Sequence, residues 1–112
     1  MRTERIAKRI WTWLERHDLT YDARLYPKKQ WRARGETFGT DALFTIVTEG
    51  PLYELINYAE TPSAARLLAA FTEYVEAQGV WYELGYAWSL HFYPQEPTRQ
   101  LRRVNYTLNG CR

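Results

Sequence analysis

A chain of 112 residues, 46% hydrophobic and 25% charged, has the size and make-up of one globular domain. Its single cysteine, Cys111, excludes an internal disulfide. No stretch nears the roughly 18 consecutive apolar residues of a membrane span and the start lacks a signal-peptide core, so a soluble, cytoplasmic protein is expected. The net charge of +2 hides a basic–acidic–basic chain: residues 1–34 carry ten Lys/Arg against four Asp/Glu, 35–98 one against nine, and the last fourteen carry four Arg and no acid. Such asymmetry bears on partners and association and does not name a reaction.

The spacing of Ile6, Ile10, Trp13, Leu14 and His17 predicts an amphipathic helix over 3–17. At about 100° per residue, Arg2, Arg5, Arg9 and Arg16 gather on a separate narrow stripe, a basic outer edge. The next run, LTYDARLY, alternates loosely and reads as a strand stopped by Pro27. KKQWRARG follows as a basic loop, with Lys28, Lys29, Arg32 and Arg34 around Trp31 and no acid between Asp22 and Glu36. Cations beside an aromatic suit phosphate contact and base stacking. GETFGT has two glycines but lacks the Lys and Ser/Thr ending of a phosphate-binding loop, which excludes that reading.

ALFTIVT, at 42–48, is rich in β-branched and aromatic residues and predicts an interior strand. Gly50-Pro51 breaks it, and Leu52, Leu55, Ile56 and Ala59 recur at helical spacing, so 51–59 reads as a short helix, with a hairpin return strand as the alternative. Thr61-Pro62 opens the clearest helix, 62–78, with Thr61 as its cap and Gly79 as its stop. Trp81 to Tyr93 reads as a strand whose even positions, Tyr82, Leu84, Tyr86, Trp88, Leu90 and Phe92, form one apolar face. The other face has a floor of small residues, Gly85, Ala87 and Ser89, between Trp81 and Tyr93. It suits a crossing helix or a partner's side chain. Thirteen residues exceed the usual strand of about 5–6, so Gly85 marks a bulge or a break. Val104, Tyr106 and Leu108 alternate as a final edge strand, which Arg102 and Arg103 would keep from open pairing.

The expected fold is therefore α+β: two or three helices on a mainly antiparallel sheet of three to four strands, one domain over 1–108 with a frayed end at 109–112. The order of elements is not a regular βαβ alternation.

Metal ligation has no local support, since His17 and His91 are far apart and no paired Cys or His/carboxylate spacing occurs. No metal or cofactor is expected. An enzyme would centre on His91, with Ser89, Glu83 or a Tyr. On one straight strand, however, Ser89 and His91 have Cβ atoms about 6.5 Å apart, and Glu83 lies about 26 Å from His91. Only a third element or a hairpin at Gly85 would alter that, and no catalytic residue is assigned. Nucleic-acid binding would use the basic segments 2–16, 24–34 and 99–103, provided that Arg5, Arg9, Lys28, Arg32 and Arg102 converge on one face. The preferred expectation is a small non-enzymatic regulatory or adaptor module working by protein–protein contact, including self-association through opposite charge blocks. Tyr, Trp and Arg favour interfaces. Its candidate contact residues are Arg5, Arg9, Lys28, Lys29, Trp31, Arg32, Arg34, Trp81, His91, Tyr93, Arg102 and Arg103.

Overall fold

The computed structural model describes residues 2–95. The expected strand at 104–108, Arg102 and Arg103 lie outside the described residues. Helix α1 spans Arg2–Arg16, strand β1 Arg24–Pro27, helix α2 Lys28–Ala33, strand β2 Phe44–Val47, helix α3 Gly50–Asn57, helix α4 Pro62–Ala77, strand β3 Val80–Leu84 and strand β4 Ser89–Pro94. The strands form one antiparallel sheet in the order β1-β2-β4-β3, with β2 and β4 inside and β1 and β3 at the edges. The fold is α+β, as the mixture of helical stripes and alternating runs implies.

Helix α4 begins as its sequence dictates. The Thr61 hydroxyl accepts the Ala64 N–H at 3.1 Å and Pro62 occupies the first turn, which relieves the unpaired donors of the helix start. Helix α1 ends without glycine: Asp18 takes the left-handed conformation (φ 57°), and the Leu19 N–H reaches back to the Leu14 carbonyl at 2.9 Å. Residues 51–57 are helical, in α3, rather than a returning strand, and the helix stops at Asn57, two residues short of the expected end.

The principal core lies on one side of the sheet. Ile6, Ala7, Ile10 and Leu14 of α1, Leu52 and Leu55 of α3, and Phe71 and Val75 of α4 bury against Phe44, Ile46, Val80, Leu90 and Phe92. Phe44 and Phe92, cross-strand partners, stack at 4.5 Å with an 11° interplanar angle. A hydrogen bond of 2.7 Å between the Thr72 and Tyr82 hydroxyls ties α4 to β3.

Two expectations are corrected on the other side. KKQWRARG is not a basic loop: its first six residues form α2, which turns Trp31 inward until it is 1% exposed. Residues 81–93 are not one strand. They form the β3–β4 hairpin, with Gly85–Trp88 as its turn. Pairing of Tyr82 with Phe92 and Leu84 with Leu90 keeps the even residues of both strands on the core side. Tyr86 and Trp88 leave that face for the turn, where their rings stack at 4.7 Å. Ala87 is exposed there while Ser89 is buried, so Gly85, Ala87 and Ser89 do not form one small-residue floor.

Candidate functional site

Alternation places Thr45, Ser89, His91 and Tyr93 on the sheet face opposite the main core. α2 and the loop after it cover part of that face. His91 is fully buried, with Trp31 edge-on at 5.4 Å and the Phe38 ring at 5.1 Å. Its Nδ1 lies 2.9 Å from Thr45 Oγ1 and its Nε2 2.9 Å from Ser89 Oγ. The Ser89 oxygen also accepts the Tyr86 N–H at 3.0 Å. A neutral imidazole has one donor and one acceptor nitrogen, so two hydroxyls satisfy it completely.

The expected separation of Ser89 from His91 is thus overturned. The backbone spacing holds, but the two side chains bend toward one another. The hairpin also makes Glu83 the cross-strand partner of His91 rather than a distant residue. A Ser–His pair is present, yet both members have zero exposure and the third group is a threonine hydroxyl. No reacting carbon can approach within the about 3–3.5 Å that attack requires. The group acts as a polar core that pins β2 to β4.

Burial pushes the His91 imidazole below its ordinary value of 6.5, with the Glu36 carboxylate opposing this in part. The unfolded chain therefore takes up a proton that the folded chain resists. Stability should be fully present above pH 6.5 and fall as pH drops from there toward the lower folded value. Urea midpoints across this range should show that slope, and His91→Asn should flatten it.

The basic residues divide into two groups. Arg32 donates from Nε to the Thr40 carbonyl at 2.9 Å, with Asp41 at 3.7 Å from Nη2. Arg34 donates to the Tyr26 hydroxyl at 2.7 Å and to Glu36 at 3.2 Å, and its guanidinium lies over the Tyr26 and Trp31 rings. Arg32 thus ties α2 to the 34–41 loop, and Arg34 ties the start of that loop to Tyr26 of β1. Trp31 donates its indole N–H to the Phe38 carbonyl at 2.8 Å and is closed to a stacking base. Lys28 and Lys29 have no such ties among the described residues.

α1 differs. It carries five cations, Arg2, Arg5, Lys8, Arg9 and Arg16, against Glu4 and Glu15. Among the described residues, none of the five has a carboxylate within ion-pair distance. Arg5, Lys8, Arg9 and Arg16 line a groove of about 330 Å³ with Thr12, Trp13 and Tyr74, and no acid contributes to its walls. Trp13 stacks on Tyr74 at 5.9 Å and on His17 at 4.0 Å, giving the cations an aromatic floor.

These cations do not converge with those of α2. α1 packs on the main-core face, whereas α2 covers the His91 face, so Arg5 and Arg9 lie on the opposite side of the sheet from Arg32 and Arg34. Trp81 and Tyr93, cross-strand partners on β3 and β4, stack on each other at 5.0 Å. A further groove of about 460 Å³ on the α2 side sets Arg24 and Arg34 against Asp22 and Glu49, beside Tyr26 and Trp88. Its cations and acids balance. Among the described residues, the α1 groove gathers four cations and no acid. Sequence spacing revealed its arginine stripe but not the contribution of Tyr74.

Comparison with known protein families, curated proteins and solved structures finds no match to this chain.

Proposed function

We propose that the chain is a non-enzymatic adaptor or regulatory module that binds an acidic protein surface through the outer face of α1. The observation that carries this reading is the groove of Arg5, Lys8, Arg9 and Arg16, whose cations lack carboxylate partners among the described residues. Unneutralised charge of one sign raises the encounter rate with a partner of the other. Trp13 and Tyr74 add the aromatic surface on which interface energy concentrates. The lone cysteine fits a reducing, cytoplasmic setting for that encounter.

Nucleic acid is the weaker reading. The segment with the best phosphate-and-base pattern, Lys28–Arg34, has its Trp buried and two of its arginines occupied by the fold. No helix among the described residues is long and apolar enough to cross a membrane.

Affinity capture with the wild-type chain in the presence of nuclease, followed by binding measurements on the purified partner, tests the reading. Arg5→Glu with Arg9→Glu should weaken that binding by at least about tenfold, mainly through slower association, with an unchanged melting temperature. Binding that survives the double reversal, or that vanishes with nuclease, would reject it.

A further inference from the structure

The face of α1 beside the basic groove ends in an apolar cleft. Thr3, Ala7 and Trp11 form one wall, and Leu25, Pro27 and Leu43 form the other. Glu4 and Lys8 stand at its sides, with Phe44 also contributing to the lining. Its volume is about 240 Å³. That is below the roughly 300 Å³ at which pockets begin to enclose whole small molecules, and it suits one large side chain.

The cleft and the basic groove are neighbours by helix geometry. At about 100° per residue, Thr3, Ala7 and Trp11 fall within an arc of about 80°, and Arg5, Arg9 and Arg16 within about 40°. Lys8 lies between the two sets and lines both depressions. A partner held by the cations therefore has an apolar socket within reach, one helix ridge away.

We infer that this cleft is the anchor socket for an acidic protein segment carrying one large aliphatic or aromatic residue. The inference rests on the proposed acidic partner and adds what fixes its register. Charge complementarity selects the occupant: the cations alongside attract carboxylates, and the alkyl and indole walls take a side chain without charge. Interfaces commonly join a central apolar anchor to a polar surround in this way. A nucleic acid would use the cations, but the polar edges of a base would stay unpaired in a socket lined by Ala7, Leu25, Pro27 and Leu43.

The test is a random-peptide display selection on the full chain, followed by anisotropy measurements on synthetic copies of the enriched peptides. Those peptides should combine Asp or Glu with one Leu, Ile, Met or Phe. Replacing that apolar residue with Ala should weaken binding about tenfold or more. Thr3→Trp fills the cleft from a partly exposed position and should reduce the same difference to about twofold or less. Leu43→Gln, which makes the opposite wall polar, serves as a second variant if Thr3→Trp alters folding. Arg5→Glu with Arg9→Glu should abolish binding of both peptides.

Acidic peptides that bind equally with and without the apolar residue would overturn the socket and leave the acidic-partner reading standing. Enrichment of neutral or basic peptides would overturn both. A single-stranded oligonucleotide that binds more tightly than the enriched peptides and weakens in Thr3→Trp would overturn the socket's assignment to a protein segment. A concentration-dependent dimer lost in Thr3→Trp, measured by sedimentation, would overturn the socket's assignment to a separate partner.

Discussion

Phe92→Ala is expected to remove about 3–5 kcal/mol of unfolding free energy, whereas Trp88→Ala, a larger truncation a few residues away, should cost less than about 2 kcal/mol. Phe92 is fully buried, stacked on Phe44 at 4.5 Å and within 5.9 Å of the Tyr82 ring. Its loss leaves a cavity in the middle of the sheet, where β2 and β3 both bear on β4. Trp88 is half-buried in the hairpin turn and stacks on Tyr86, so most of what it loses is one ring contact. The backbone bond from the Thr48 N–H to the Trp88 carbonyl, 2.7 Å, survives the substitution. Urea unfolding of both variants, compared at a common m-value, decides the matter. Equal losses would place Trp88 in the core and contradict the hairpin.

Alternation alone, read along an unbroken strand, gives Trp88 and Phe92 the same rank, and the difference between them shows where sequence reading stops. The turn at 85–88 is Gly-Tyr-Ala-Trp, which lacks the Asn-Gly or Asp-Gly pair that marks a tight hairpin. Gly85 alone carried the signal. The register nonetheless preserves parity, because Leu84 pairs with Leu90 and Tyr82 with Phe92. Tyr82, Leu90 and Phe92 therefore pack into the core as alternation implies, Leu84 keeps that side of the sheet but is exposed, and Tyr86 and Trp88 leave it for the turn.

The helices were more legible, because their signals are local. Thr61-Pro62 and the spacing of Leu67, Phe71 and Val75 act within α4 itself, and the α1 stripe acts within α1. α2 was hidden, since six residues rich in Lys and Arg have too short a pattern to show an inward face. Its burial of Trp31 depends on His91 and Phe38, which arrive from other parts of the chain. The same holds for charge. Arg5 and Arg34 look alike in sequence, and only tertiary placement shows that Arg34 is held by Tyr26 and Glu36 while Arg5 faces an open groove. The candidate interaction surface was thus half visible: its stripe was legible, its selectivity over the Lys28–Arg34 segment was not.

Gly85→Ala is expected to cost about 2–3 kcal/mol, at the upper end of what one added methyl group does to a packed interior. A Cβ at Gly85 would fall against the His91 imidazole and within 2.5 Å of the Phe38 ring. The Phe38 ring is partly exposed and can swing aside, but the imidazole is fixed at both nitrogens by Thr45 and Ser89. A Cβ at Gly39 would collide with the same ring, beside Nδ1 and Cε1, and φ there is +71°, so Gly39→Ala adds left-handed strain to the collision and should cost more. Gly35→Ala is the control: φ is +82° with open space around the Cβ, which leaves strain alone, about 1 kcal/mol. His91→Ala should itself be costly, because it opens a cavity and strips the buried Thr45 and Ser89 hydroxyls of a partner. In that background the added methyl group enters vacated space, so Gly85→Ala should become nearly neutral and the two changes should couple by about 2 kcal/mol. Chemical unfolding of the four chains of this cycle measures the coupling. If Gly85→Ala costs under about 0.5 kcal/mol alone, or adds independently to His91→Ala, then Gly85 is not there to admit His91.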